Sequence, residues 1–207
     1  MTEHPIIFSA NMVRAILAGR KTQTRRVANA TIYINLNGPV RGDWPIGHQS
    51  VAPVGRYLAH LNPHGAVSVE TPSGLLGVKP DEFTWECPYG QPGDLLWVRE
   101  GFAVQPELWA ASHSPQPLHF LADCKPEQIE DYVCKPSIHM PRWASRITLG
   151  IVSVRVERLQ EISVRDALAE GEQGVGDFCY LWDSINAKRG YSWESNPWVW
   201  VIEFKRI

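Results

Sequence analysis

Residues 146–159, RITLGIVSVRVERL, constrain the fold more than any other segment. Ile147, Leu149 and Ile151 share one parity, and Val152, Val154 and Val156 share the other. A strand alternates its side chains with a period of two, so this run reads as one long strand within a sheet. The change of parity beside Gly150 predicts a β-bulge or a bend. The closing WVWVIEFKRI reads as a second β-rich strand, and LLWVRE, opened by the turn signal Gly93-Asp94, as a third.

Helices are fewer and short. Pro5 to Phe8 reads as a short strand, after which Ser9 or Asn11 can cap a helix with Met12, Val13, Ile16 and Leu17 at helical spacing and Gly19 at its end. Ser163 followed by Asp166 resembles a capping box opening VRDALAE, which ends at Gly171. Asp177 can cap a further helix with Phe178, Leu181, Trp182 and Ile185 on one face, stopping near Gly190. Between Phe102 and Arg142 only PEQIEDYV has helical character. Residues 28–92, rich in Gly, Pro and Asn and holding TIYINL and GRYLAHL, read as hairpins and loops. No repeat, low-complexity tract or linker divides the chain. The expectation is one α+β domain of 207 residues, whose 44% hydrophobic content is enough for a core of its own.

Charged residues make up 20% of the chain, which together with 16 Gly and 16 Pro argues against disorder, collagen and coiled coil. No apolar run approaches the ~18 to 20 residues of a membrane span, and the opening MTEHPIIFSANMVR carries an acid and a Pro where a signal peptide needs a basic segment. A soluble cytoplasmic protein is expected. The four cysteines form no CxxC pair and read as free buried thiols. The seven histidines lack an HExxH grouping, so no protein-held metal and no cofactor is expected.

The net charge of −2 conceals segregation. From His4 to Gly42 there are six basic residues and no acid; from Asp81 to Asp131 ten acids face Arg99 and Lys125; from Lys135 to Arg158 five basic residues face only Glu157. If the two basic stretches meet, they form a positive face suited to phosphate or nucleic acid. If the acidic stretch covers them, the charges pair internally.

Three features can carry chemistry. Arg20-Lys21-Thr22-Gln23-Thr24-Arg25-Arg26 follows a helix end, and in extended conformation Lys21, Gln23 and Arg25 face one way while Thr22, Thr24 and Arg26 face the other. Lysine titrates near ~10.4, so Lys21 needs burial or neighbouring cations to act as a base. As a bare pattern the same heptad reads sooner as a solvated basic loop than as a catalytic one. Glu170 sits in the last turn of its helix, where the dipole disfavours a carboxylate, as a general acid requires; it also reads as an ordinary exposed helix residue. The third is residues 135–146, KPSIHMPRWASR, where Lys135, His139 and Arg142 can meet phosphates and Trp143 can stack on a base, or where Trp143 is simply core.

These motifs, ILAGRKTQTRR, GDLLWV, the Ile162-Ser163 helix ending Ala169-Glu170-Gly171, and the closing VIEF, resemble the ASCH domain family. They occur in family order, and the longer form with KPSIHMPRWASRI is similar to members common in bacteriophages and prophages. The resemblance implies a PUA-like small β-barrel with flanking helices, here a single domain over 1–207 with insertions at about 27–92 and 100–144. It also implies a partner, either a modified nucleoside or RNA. Some small bacterial members are amidohydrolases that deacylate N4-acetylcytidine with a lysine, a threonine and a glutamate, roles that fall on Lys21, Thr24 and Glu170. Arg20, Thr22, Arg26, Lys135, His139, Arg142 and Trp143 are then substrate or phosphate ligands. The alternatives are an RNA-binding module without catalysis, or a ribonuclease. Gln23 and Arg25 stand where the small enzymes have apolar residues.

Overall fold

A computed structural model describes residues 1–28, 31–36, 40–43, 49–52, 55–61, 67–71, 74–78, 83–105 and 119–207. In chain order it contains β1 (Glu3–Ile7), helix α1 (Ala10–Leu17), β2 (Gln23–Val27), β3 (Thr31–Leu36), β4 (Val40–Asp43), β5 (Gln49–Ala52), β6 (Gly55–Leu61), β7 (Val67–Thr71), β8 (Gly74–Val78) and β9 (Phe83–Trp85). There follow β10 (Leu95–Arg99), β11 (Phe102–Val104), β12 (His119–Phe120), β13 (Val133–Lys135), β14 (Thr148–Arg158), helices α2 (Val164–Ala169) and α3 (Val175–Asn186), and β15 (Trp198–Arg206). The class is α+β, mostly sheet with few helices.

The principal sheet has the order β1-β10-β14-β15-β2. It contains the three strands legible in LLWVRE, in residues 146–159 and at the closing WVWVIEFKRI, all as neighbours. Strand β15 lies inside the sheet and is covered on both faces. Trp198, Trp200, Ile202 and Phe204 join one apolar cluster with Leu96, Val98 and Val13, while Val199 and Val201 join another with Leu159, Phe178 and Trp182. That is why its sequence is a continuous apolar run instead of an alternation. Burying each such side chain contributes about 1.5–3 kcal/mol. The expected irregularity of β14 is present: its register with β15 shifts between Ile151 and Ser153, leaving Val152 exposed.

The strand order is that of an open sheet. Among the described residues no backbone pairing joins β1 to β2, although the resemblance implies a closed barrel. A side chain spans the gap, Arg26 Nη2 donating to the Ile7 carbonyl at 2.6 Å.

Helix α1 begins at Ser9, whose extended backbone and Oγ, accepting from Met12 N, form the cap; Met12, Val13, Ala15 and Ile16 are buried. Gly19 has φ +71°, and the turn it permits returns the chain so that both Arg20 N and Lys21 N donate to the Ala15 carbonyl. The Ser163–Asp166 capping box of α2 is complete, each side chain bonding the other's backbone N–H. Helix α3 starts earlier than expected. Its cap is Gly174, and Asp177 lies in the first turn, where its charge still favours the helix dipole. PEQIEDYV forms only a 3₁₀ turn at Pro126–Gln128, because Val133 is drawn into β13 opposite Val104 and too few residues are left to propagate a helix.

Within residues 28–92 the described strands are hairpins, as expected. They form an antiparallel sheet of order β8-β7-β6-β3-β9 and the β4–β5 pair. Leu36, Ala59, Val67, Val69 and Val78 join the same apolar cluster as the principal sheet. Strands β11, β12 and β13 make a third small sheet packed by Phe102, Val104, Met140 and Ala144. Residues 106–118, within the second expected insertion, and the short spans between the strands of the first lie outside the described residues. The cysteines are free, but only Cys87 is fully buried, its thiol pushed up to about 11 by burial; Cys134, expected inside, is exposed on β13. No helix among the described residues is long and apolar enough to cross a membrane.

The turn before β10 carries a pH-sensitive contact. Asp94 accepts from Thr2 N at 2.7 Å and Gln91 N at 3.1 Å, and these bonds, that from Thr2 foremost, hold its carboxyl at about 2, below the ordinary 3.8. A depressed carboxylate stabilises the fold above its unfolded value and loses that contribution as pH falls through about 2. Urea midpoints of the protein and Asp94→Asn should therefore converge as pH drops from about 4 to about 2. A constant gap would remove Asp94 from the account.

Candidate functional site

The site forms where the end of α1, the start of β2 and the end of α2 meet. Thr22 N donates to the Ala169 carbonyl at 2.8 Å, tying the residue after Lys21 to the residue before Glu170. Gly171 makes this approach possible. Its φ is +93°, and a Cβ there would lie 3.1 Å from the Ala15 side chain and 3.3 Å from that of Lys21.

Lys21 and Glu170 are both buried, at 2% and 3% exposure, and their side chains form an ion pair. Lys21 Nζ donates to Glu170 Oε2 at 2.6 Å and to the Glu170 carbonyl at 2.8 Å, and lies 5.7 Å from the Phe8 ring centroid. Burial lowers the pKa of Lys21, Glu170 opposes the shift, and the like charge of Arg26 adds to it. The sequence offers burial or neighbouring cations as the depressing influence; both act, and burial is the larger.

Arg25 shares this carboxylate. Its Nη1 reaches Glu170 Oε1 at 3.3 Å, while Nη2 meets Glu157 Oε1 at 2.5 Å and Asp166 Oδ2 at 3.4 Å. With its amide turned to match its neighbours, Gln23 donates to Asp166 Oδ1 at 3.2 Å and accepts from Arg25. Lys21, Gln23 and Arg25 thus face α2 together, as strand alternation requires. Gln23, Arg25, Asp166 and Glu157 form a polar network that holds Glu170 from a second side. Arg25 Nε is buried and has no hydrogen-bond partner among the described residues.

Thr24, Arg25 and Glu170 line an inner cavity of about 110 Å³, walled on its far side by Phe178 and Trp182 of α3. Thr24 Oγ1 makes no hydrogen bond within the described residues, and none links it to Lys21 Nζ. Met12, Arg26, Tyr89, Ile185 and Arg189 line both this cavity and an outer hollow of about 540 Å³ that runs along β1 past Phe8, Ser9 and Ser137. No local pattern in the sequence marks Glu157, Asp166, Tyr89 or Arg189 as members of this site. Comparisons with protein-family models, curated proteins and solved structures give no match.

The other expected ligands lie apart from the inner cavity. Arg20 is exposed and donates to the Gly171 carbonyl at 3.3 Å. Thr22 lines a separate hollow with Val152, Arg165 and Glu203. Arg142 makes a bidentate pair with Glu3 at 2.8 and 2.9 Å and lies over the Trp97 ring. Lys135 is half-buried on β13, His139 is exposed, and Trp143 is 47% exposed while its neighbour Ala144 is core.

The charge segregation resolves largely into internal pairing. Arg142 pairs with Glu3, Arg146 with Glu100 and Asp123, and Arg155 with Glu157, Asp166 and Glu203. Glu100 and Asp123 come from the acidic stretch, so that stretch neutralises part of the second basic one. Among the described residues, no group of three or more His, Cys, Asp or Glu is placed to hold a metal.

Proposed function

We propose that the protein is an amidohydrolase acting on the N4-acyl group of a cytidine-type nucleoside, built on a PUA-like domain of the ASCH kind. The observation that carries this reading is the buried 2.6 Å contact between Lys21 and Glu170; Glu170 lines a cavity together with Thr24, and Lys21 is not among the lining residues. The barrel reading is supported by the adjacency of β10, β14 and β15, by α1 beside them, and by the Arg26 bridge across the open side.

The proton balance follows from the pair. A ligand that excludes water makes separated charges costly, and a proton moving from Nζ to Oε2 converts ammonium and carboxylate into an amine base and a carboxylic acid. The amine takes the Thr24 hydroxyl proton as Oγ1 attacks the acyl carbon. Glu170 returns its proton to N4 as the C–N bond breaks, releasing cytidine, and water then cleaves the acyl-threonine ester. In the unliganded site Nζ is engaged by Oε2 and the backbone carbonyl of Glu170, so the base must turn toward Thr24 when the acyl group enters. Arg25 lines the cavity and its buried Nε has no hydrogen-bond partner among the described residues, so this side chain is suited to receive the oxyanion.

The test is release of acetate from N4-acetylcytidine by the purified protein as a function of pH. The profile should be a bell whose two limbs belong to the pair together. Activity is lost at low pH when the pair takes up a second proton, and at high pH when it loses the one it shares, over a range below the ordinary ~10.4 of lysine because burial lowers the pKa of Lys21. No acetate at any pH would overturn the hydrolase reading.

A further inference from the structure

The inner cavity, about 110 Å³, is small for a whole nucleoside. Dry apolar cavities of about 150 Å³ take a single benzene ring, so this space admits only the acyl group and the edge of the base that carries it, while the rest of the base and the sugar must lie outside. The way out passes Met12, Tyr89 and Ile185 into the outer hollow, and two guanidinium groups stand along it. Arg26 comes from β2, and Arg189 from the turn that ends α3.

Among the described residues Arg26 and Arg189 pair with no carboxylate, as is also true of Arg14, Arg20, Arg99 and Arg158; what distinguishes these two is that they border the same hollow. Arg26 gives one hydrogen bond, to the Ile7 carbonyl, and Arg189 makes no side-chain hydrogen bond there. Burial disfavours the Arg26 cation, Tyr89 and Glu170 favour it, and the like charge of Arg189 opposes it. Two like charges bordering one hollow, with no acid among the described residues that line it, form an arrangement that an anion relieves. The hydroxyl-bearing Ser9 and Ser137 line the same hollow.

We infer that the outer hollow is a phosphate subsite, in which Arg26 and Arg189 receive the phosphate of a cytidine nucleotide whose acylated edge enters the inner cavity. This rests on the reading of the inner cavity as a cytosine site. The phosphate belongs either to a free nucleotide or to an oligonucleotide chain. A neutral nucleoside would leave both guanidinium groups without an anionic partner among the described residues.

Calorimetric titration of the full chain with cytidine, cytidine 5′-monophosphate and a trinucleotide with cytidine in the middle tests this. Tighter binding of the monophosphate than of cytidine, by about tenfold or more, is expected if the source is a free nucleotide. A gain seen only with the trinucleotide assigns the phosphate to a chain, and supports the subsite equally. In Arg189→Gln, a surface change that removes no bond seen within the described residues, the gain should shrink to less than twofold. Equal affinities for all three ligands, no detectable binding of either phosphorylated ligand, or a gain that persists in Arg189→Gln would each overturn the inference. Acetate release from N4-acetylcytidine by the same preparation reports separately on the hydrolase. Turnover without a phosphate preference removes the subsite alone, and a phosphate preference without turnover removes the hydrolase alone.

Discussion

Cutting Glu170 back to alanine should lower the unfolding free energy by about 3–5 kcal/mol, the cost of breaking a buried ion pair from one side. The change leaves the Lys21 ammonium with neither Oε2 nor any other side-chain acceptor at its 2% exposed position. Arg25 is affected less, because Glu157 and Asp166 still face it. Urea denaturation measures the loss, and a second variant isolates its cause. In Lys21→Met/Glu170→Ala the stranded charge is gone, so the double variant should be more stable than Glu170→Ala alone. If the two losses add, the pair is not energetically coupled and the short contact carries little of the stability of the α1–α2 junction.

Replacing Thr24 with valine should have the opposite profile, a large loss of rate with little loss of stability. Thr24 Oγ1 makes no hydrogen bond within the described residues, and valine keeps the β-branched shape preferred in β2. Hydrolysis of N4-acetylcytidine should fall by about 10²–10⁴-fold or more, with the thermal midpoint nearly unchanged. Lys21→Met should lose a similar factor, typical of removing a general base, and the two losses should not add, since the groups act as a unit. Full activity in Thr24→Val would end the nucleophile assignment. Retained nucleic-acid binding by a variant that never showed turnover would favour a binding module.

Local patterns make much of the frame legible in the amino-acid sequence itself. Strand period places β10, β14 and β15, and the Ser163–Asp166 box places the start of α2 to the residue. Alternation along β2 correctly groups Lys21 with Arg25, and both reach Glu170. The position of α3 is less clear, because Asp177 is a good cap residue that instead lies one turn inside a helix capped by Gly174. The partners of Arg25 are not legible at all. Glu157 and Glu170 lie more than a hundred positions away, and no local period reports a contact across that distance. Tyr89 and Arg189 are hidden for the same reason, since each meets the cavity only after the sheet has formed. Gly171 reads as a helix stop, which it is; its φ of +93° and its contact with Lys21 show that it also lets the two motif segments touch.

The place of β15 inside the principal sheet sets an order of events during synthesis. Strand β2, which carries Thr24 and Arg25, pairs with β15, with Gln23 opposite Glu203. At roughly 5–20 residues per second, the ribosome needs on the order of 10–35 s between making these two strands. Throughout that interval the heptad from Arg20 to Arg26 has neither its strand partner nor Glu170, so its cations stay hydrated and open to polyanions nearby. The long loop that must close before β2 pairs also argues for slow completion of the sheet. The nascent chain therefore acquires its chemistry late, and a product lacking β15 should retain the hairpins of residues 28–92 while having no assembled site.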